Sequence, residues 1–192
     1  MAPSASTQSR ILGAAAQLFY DAGIAATCVD RVAERAGVSK PTLYAHFRSK
    51  DDLVAAVLES RHAERAEGLE EWLAEHGGEP RERLLSVFDW LAAWFSASGN
   101  RGCAFVNASV EIVEPDHPAR EVARAHKRWM RGRLAELAAA AGVRDPAQMG
   151  SDLMILIDGA NARMVVGGDP GVAADARRMA EVLLDAACRS SP

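Results

Sequence analysis

Residues 28–47 read CVDRVAERAGVSKPTLYAHF and carry the strongest structural signal in the chain. Apolar residues recur at helical spacing up to Ala36, and Gly37 then suits the left-handed conformation that ends many helices. Ser39 is a favoured N-cap, and Pro41 is tolerated in a first helical turn because its missing N–H has no partner there. The stretch therefore predicts two short helices separated by a glycine turn, which is the order of a helix-turn-helix.

The second short helix has one buried side and one outward side. Leu43 and Phe47, at i and i+4, define the buried side. The opposite side is small and lightly polar, so it fits a major groove and offers a hydroxyl and a methyl group to base edges. Side chains on the two flanks would face the phosphate ridges. The outward residues are Pro41, Thr42 and Ala45, and the flanking residues are Tyr44 and His46.

Further phosphate contacts are predicted around this helix. Lys40 and Lys50 bracket it, and a lysine reaches phosphates as a mobile point charge. Ser39 lies at its start, and Thr27, the predicted N-cap of the preceding helix, adds a hydroxyl. The alternative is that the two flanking aromatic residues only complete a core and that the lysines are solvated.

The charge distribution agrees with a DNA-binding amino-terminal segment. The whole chain has a net charge of −4, but residues 1–50 hold six Lys and Arg residues against three acidic residues. The remaining residues, 51–192, hold 16 against 23. A basic amino-terminal segment joined to an acidic body predicts that only the basic segment binds double-stranded DNA.

Helical periodicity continues through the rest of the chain, and no alternating run of β-branched residues predicts a sheet. We therefore expect an all-α fold of about nine helices. A three-helix DNA-binding domain, 1–50, is joined through a long fourth helix to a helical body, 51–192. Besides the two short helices, the predicted helices lie at 11–23, 49–75, 81–97, 103–113, 118–141, 146–166 and 170–189.

Several classes of protein are excluded by what the sequence lacks. No apolar run approaches the roughly 20 residues of a membrane span, and the first residues do not resemble a secretory signal, so we expect a cytoplasmic protein. The three cysteines, Cys28, Cys103 and Cys188, form no C-x-x-C pair and are interpreted as reduced packing residues. No nucleophile elbow, H-E-x-x-H motif or P-loop is present, which predicts no enzyme, cofactor or metal site.

Residues 27–53, TCVDRVAERAGVSKPTLYAHFRSKDDL, resemble the tetracycline-repressor (TetR) family, and the similarity extends over about residues 8–56. The resemblance implies a homodimeric, all-helical transcriptional regulator whose two reading helices bind half-sites of a palindromic operator. Cys28 departs from the serine or threonine that is common there. Positions that commonly touch DNA in that family correspond to Thr27, Ser39, Lys40, Thr42, Tyr44, His46 and Lys50.

The same resemblance implies a small-molecule effector bound in the body. Aromatic and methionine side chains suit an apolar ligand, although core packing uses the same residue types. Asp158 and Asn161 lie one turn apart in an apolar segment, where they would read a polar ligand atom or form a helix or subunit contact. The predicted pocket residues are Trp90, Trp94, Phe95, Cys103, Phe105, Trp129, Met130, Met154, Asp158 and Asn161.

The resemblance further implies dimerisation through the last two helices as a four-helix bundle. Residues that fit this role are Leu153, Leu156, Ile157, Val182, Leu183 and Ala186. The basic stretch 120–133 is interpreted as a solvated face, with an anionic effector or the acidic fourth helix as its alternative partners.

These features together predict a dimeric repressor that an effector releases from its operator by binding one conformation better than the other. The alternative is a DNA-binding regulator without a small-molecule effector, controlled by a protein partner. A ligand-sized apolar cavity would distinguish the two.

Overall fold

The computed structural model describes residues 6–76, 78–97 and 101–189, with side chains up to residue 187. These ranges contain nine α-helices and no strand, which confirms the all-α prediction. The helices are α1 (Thr7–Ala22), α2 (Val29–Ala36), α3 (Lys40–His46), α4 (Lys50–Glu75), α5 (Pro80–Phe95), α6 (Ala104–Glu111), α7 (Pro118–Ala140), α8 (Pro146–Gly167) and α9 (Val172–Arg189).

Local capping signals explain where the short helices begin and end. The Ser39 side chain accepts a hydrogen bond from the Thr42 backbone N–H at 3.2 Å, and Gly37 ends α2 with φ of 64°, in the left-handed region. The prediction that Thr27 caps α2 is wrong, because Cys28 occupies the N-cap and makes no side-chain capping bond. Cys28 is also exposed, so it is not a packing residue.

The chain forms two compact units. The first unit comprises Met1–Glu64 and Cys103–His126, and the second comprises Arg65–Gly102 and Lys127–Pro192. These structural units do not coincide with the functional division expected at residue 50, which stays a prediction.

The core of the first unit holds the reading helix α3 in place. Ile11, Val32, Leu43 and Leu53 are fully buried there, and Phe105 of α6 is 3% exposed. Burying such a side chain stabilises the fold by about 1.5–3 kcal/mol. Leu43 therefore fixes which side of α3 faces outward.

The second unit has its own core, in which α7 and α8 approach closely. A Cβ atom added at Gly150 of α8 would lie 2.7 Å from the Arg131 carbonyl oxygen and 2.9 Å from the Ala135 backbone nitrogen. Both neighbours are backbone atoms of α7, which cannot move aside as a side chain would. Glycine is therefore required at this crossing. Fully buried side chains of this core include Leu69, Phe88, Leu134 and Leu153.

Candidate nucleic-acid interface

Helix α3 exposes the side that the sequence predicts to be outward. Leu43 is 0% and Phe47 is 5% exposed, which confirms the buried side. Tyr44 is 42% exposed, and Thr42 is half-buried with its hydroxyl 2.7 Å from the Ser39 hydroxyl. A base contact by Thr42 would therefore share or replace this hydrogen bond. The other exposed residues of α3 are Lys40, Pro41, Ala45 and His46.

Arg10 of α1 holds the turn between α2 and α3. Its guanidinium donates to the Ala36 carbonyl oxygen from Nε at 3.2 Å and from Nη2 at 2.9 Å, and to the Gly37 carbonyl oxygen at 2.9 Å. These carbonyls belong to the last residue of α2 and to its C-cap, where intrahelical partners are missing. From the sequence, Arg10 is only one of the six basic residues of 1–50, because nothing local to it marks a partner 26 residues away.

Both lysines that bracket α3 already have partners in the first unit. The Lys40 ammonium lies 2.8 Å from Asp30 Oδ1 and 3.2 Å from Oδ2. The hydrogen bond to Asp30, reinforced by the charge of that carboxylate, raises the pKa of Lys40 above its ordinary value. The Lys50 ammonium donates to the Ile24 carbonyl oxygen at 2.6 Å. An ammonium has three donors, so this bond leaves Lys50 able to contact a phosphate.

Thr27 differs from its predicted role at the DNA surface. Its side chain is 0% exposed, and its hydroxyl lies 2.7 Å from the Gly23 carbonyl oxygen, to which it donates. The Leu18 carbonyl oxygen lies 3.3 Å from the same hydroxyl. The hydroxyl therefore stabilises the turn between α1 and α2 and is not presented to a phosphate.

Helix α6 contributes a second, unforeseen contact to that turn. Glu111 accepts a hydrogen bond from the Ala25 backbone N–H at 3.0 Å. A Cβ atom at Gly23 would lie 3.1 Å from the same carboxylate, and Gly23 has φ of 92°. A glycine lets the Glu111 carboxylate approach this backbone closely.

The basic stretch 120–133 is not simply a solvated face. Arg120 donates to the Ile112 carbonyl oxygen at 2.6 Å, just beyond α6, and Lys127 pairs with Asp158. Arg133 makes two hydrogen bonds to Glu70 of α4, at 2.6 and 2.7 Å. The alternative in which the acidic fourth helix is the partner is thus confirmed for Arg133.

The predicted pocket residues fall in both units. Cys103 and Phe105 belong to the core of the first unit, where Phe105 stacks on the buried His126 ring at 3.7 Å between centroids. The other eight lie in the second unit, where Phe95 and Met130 are buried in the core. The partly buried residues Trp90, Trp94, Trp129 and Met154 pack against that core.

Asn161 is the one predicted pocket residue that combines deep burial with an unmet hydrogen bond. It is 6% exposed, and its amide nitrogen donates to the Ile157 carbonyl oxygen at 2.9 Å. Its Oδ1 atom accepts no hydrogen bond from any described residue. Leaving such an atom buried without a partner costs about 1–3 kcal/mol. A ligand that donates one hydrogen bond would recover that free energy.

Two of the six predicted dimer residues need correction. Leu153 is 0% and Ile157 is 5% exposed, so both pack inside their own second unit and are not available to a partner subunit. Leu156 and Leu183 are partly buried against the same core, whereas Val182 and Ala186 are exposed. Large exposed apolar residues that the sequence did not single out on these two helices include Ile155, Val166 and Met179.

Neither a metal site nor a membrane-spanning helix is present among the described residues. The described residues contain no group of three or more His, Cys, Asp or Glu side chains placed to hold a metal ion. No helix in that part of the chain is long and apolar enough to cross a membrane.

Comparison with protein families gives two matches. The model described as bacterial regulatory proteins, tetR family, matches residues 11–57. The model described as tetracyclin repressor-like, C-terminal domain, matches residues 80–180.

Similar proteins include a curated relative and two solved structures. The HTH-type transcriptional activator FasR of Mycolicibacterium smegmatis is 47% identical over 62 residues, which are 32% of this chain and 28% of that protein. A TetR transcriptional regulator of Streptomyces avermitilis is 34% identical, with a TM-score of 0.83 over 95% of this chain and 98% of that one. A TetR-family regulator of Streptomyces coelicolor is 31% identical, with a TM-score of 0.84 over 94% and 95% of the two chains. The matches to the first curated relatives span less than half of those proteins, 28% and 42%.

Proposed function

Because this chain belongs to the TetR family, it is a transcriptional regulator with a DNA-binding helix-turn-helix and not an enzyme, and we propose that it represses transcription as a dimer on a palindromic operator. The observation that carries the proposal is the exposed side of α3. Its small outward residues and its polar flanks fit a major groove. That the protein acts in the cytoplasm remains a prediction.

Each outward or flanking residue of α3 has a proposed role at the DNA. Pro41, Thr42 and Ala45 enter the major groove, with the Thr42 hydroxyl on a base edge and the Ala45 methyl beside thymine. Tyr44 and His46 donate hydrogen bonds to phosphates on the two sides of that groove. Ser39, Lys40 and Lys50 add phosphate contacts, and Thr27 has no part because its hydroxyl is buried.

The dimer is proposed to form through the exposed apolar faces of α8 and α9. Ile155 and Val166 of α8 are 69% and 90% exposed, and Met179 and Val182 of α9 are 57% and 64% exposed. Large apolar side chains exposed together on neighbouring helices are typical of an interaction surface. Pairing two copies about a two-fold axis buries these faces in a four-helix bundle. The two reading helices then enter half-sites about 34–36 Å apart, or a multiple of that distance.

The effector is proposed to bind in the second unit near Asn161. The Asn161 Oδ1 atom accepts no hydrogen bond from the described residues, which supports a ligand that carries a hydrogen-bond donor on an apolar body. Methionines such as Met130 and Met164 in the same core can adapt to such a ligand. The competing proposal, control by a protein partner alone, requires no ligand in this core.

Selection from random duplex DNA tests the proposal. The purified chain is mixed with the random pool at a stated moderate salt concentration, and the retained DNA is sequenced. Enrichment of a palindrome is the expected result, and Thr42→Ala should relax the base preference at one position of each half-site. Retention that disappears with modest salt, without any enriched sequence, would contradict the proposal. A promoter carrying the enriched site then distinguishes a repressor from an activator.

A further inference from the structure

The ammonium group at the start of the reading helix α3 forms an ion pair with a carboxylate of α2. Lys40 is the first residue of α3, and Asp30 lies in the first turn of α2. The Lys40 Nζ atom lies 2.8 Å from one Asp30 oxygen and 3.2 Å from the other. The two side chains are 51% and 66% exposed, so the pair is open to solvent and to DNA.

Stability alone does not account for this pair. An exposed ion pair contributes about 0.2–1 kcal/mol to folding. A carboxylate near a helix N-terminus contributes a similar amount through the helix dipole, and that contribution does not depend on Lys40. What depends on Lys40 is the availability of its ammonium, because a DNA phosphate offers the same charge and the same type of acceptor oxygen as Asp30.

We propose that Asp30 competes with DNA phosphates for Lys40 and thereby limits the affinity of the protein for duplex DNA of any sequence. This inference rests on the proposed function. Phosphate contacts carry no direct sequence information, so Asp30 weakens binding to the operator and to unrelated DNA by the same factor. Asp30 therefore sets how tightly the regulator holds DNA without altering which site it prefers.

The size of the effect follows from counterion release. One additional lysine–phosphate contact changes the slope of log K against log salt by about 0.9. Lowering the salt tenfold, from about 1 M to about 0.1 M, therefore strengthens binding through this contact about eightfold for each DNA-binding segment. Asp30→Asn should approach this gain, and the double variant Asp30→Asn/Lys40→Gln should lose it.

The experiment measures fluorescence anisotropy of the full chain with the enriched palindrome and with an unrelated duplex of equal length, over a range of salt. Glu34→Gln is the matched control, since it removes one negative charge from an exposed position on the same helix without touching Lys40. Asp30→Ser is a second variant, and melting curves verify that every variant is folded. Asp30→Asn and Asp30→Ser should bind both duplexes more tightly and with a steeper salt slope, and Glu34→Gln should change the Kd less than twofold.

Two results would overturn the inference while leaving the proposed function intact. In one, the wild type binds the palindrome specifically, but the Asp30 variants bind DNA no more tightly than the wild type and with no steeper salt slope. The other is a gain that persists in Asp30→Asn/Lys40→Gln, which would show that Asp30 acts only by repelling DNA. Failure of the wild type to prefer the palindrome over unrelated DNA would instead overturn the proposed function, and the inference with it.

Discussion

Replacing Arg10 with alanine should destabilise the helix-turn-helix by a measurable amount. The variant loses three hydrogen bonds from one guanidinium to the Ala36 and Gly37 carbonyl oxygens, at 2.9–3.2 Å. Hydrogen bonds to charged groups contribute about 1.5–3 kcal/mol each when sheltered. Because Arg10 is largely exposed, its three hydrogen bonds together should contribute only about 1.5–2 kcal/mol to the free energy of unfolding.

A melt followed by circular dichroism tests this value. For a chain of this size about 1 kcal/mol corresponds to about 2–4 °C, so the Tm of Arg10→Ala should fall by about 3–8 °C. Arg31→Ala is the matched control, because Arg31 is exposed on α2 and its side chain makes no hydrogen bond or ion pair within the described residues. Arg10→Lys should lie between the wild type and Arg10→Ala, since an ammonium lacks the planar fork. Equal Tm values for the two alanine variants would refute the reasoning.

Other expected outcomes concern packing, DNA and the dimer. Gly150→Ala should lower the free energy of unfolding by about 1–3 kcal/mol in a denaturant titration, because its Cβ would lie 2.7 Å from a backbone oxygen of α7. Lys50→Ala should weaken binding to all duplexes and reduce the salt slope by about 0.9 per DNA-binding segment, and an unchanged slope would rule out its phosphate contact. Thr42→Ala should lose about 1–3 kcal/mol of discrimination at one base position, measured by competition between single-base variants of the operator. Val182→Asp should shift the chain from dimer to monomer in sedimentation equilibrium, whereas a dimer of unchanged affinity would exclude the exposed face of α9.

Local signals made the DNA-binding segment predictable. The Ser39 cap, the left-handed Gly37 and the buried pair on α3 each depend on neighbours within a few residues, and each is present in the structure. Thr27 shows that such a local prediction can be wrong by a single residue. The helix begins one residue later than expected, and the hydroxyl turns back to carbonyl oxygens of the preceding helix and turn.

Contacts between distant parts of the chain were not predictable. Arg10, Glu111 and Asp30 find partners 26, 86 and 10 residues away, and no feature of their own sequence neighbourhood specifies those partners. Leu153 and Ile157 were wrongly assigned to the dimer face for a different reason. The segment 153–157 reads LMILI, which is apolar on every side of the helix, so periodicity does not tell which residues face their own core.

Photo-crosslinking can show whether the exposed side of α3 contacts base pairs in two half-sites of the operator. A photoreactive amino acid replaces Ala45, and in a control it replaces Asp116, which is exposed between α6 and α7. Crosslinks are expected from position 45 to major-groove bases at symmetric positions of both operator halves, separated by about one helical turn or a multiple of it. Position 116 should give none. Crosslinks absent from position 45 but present at position 116 would contradict the account.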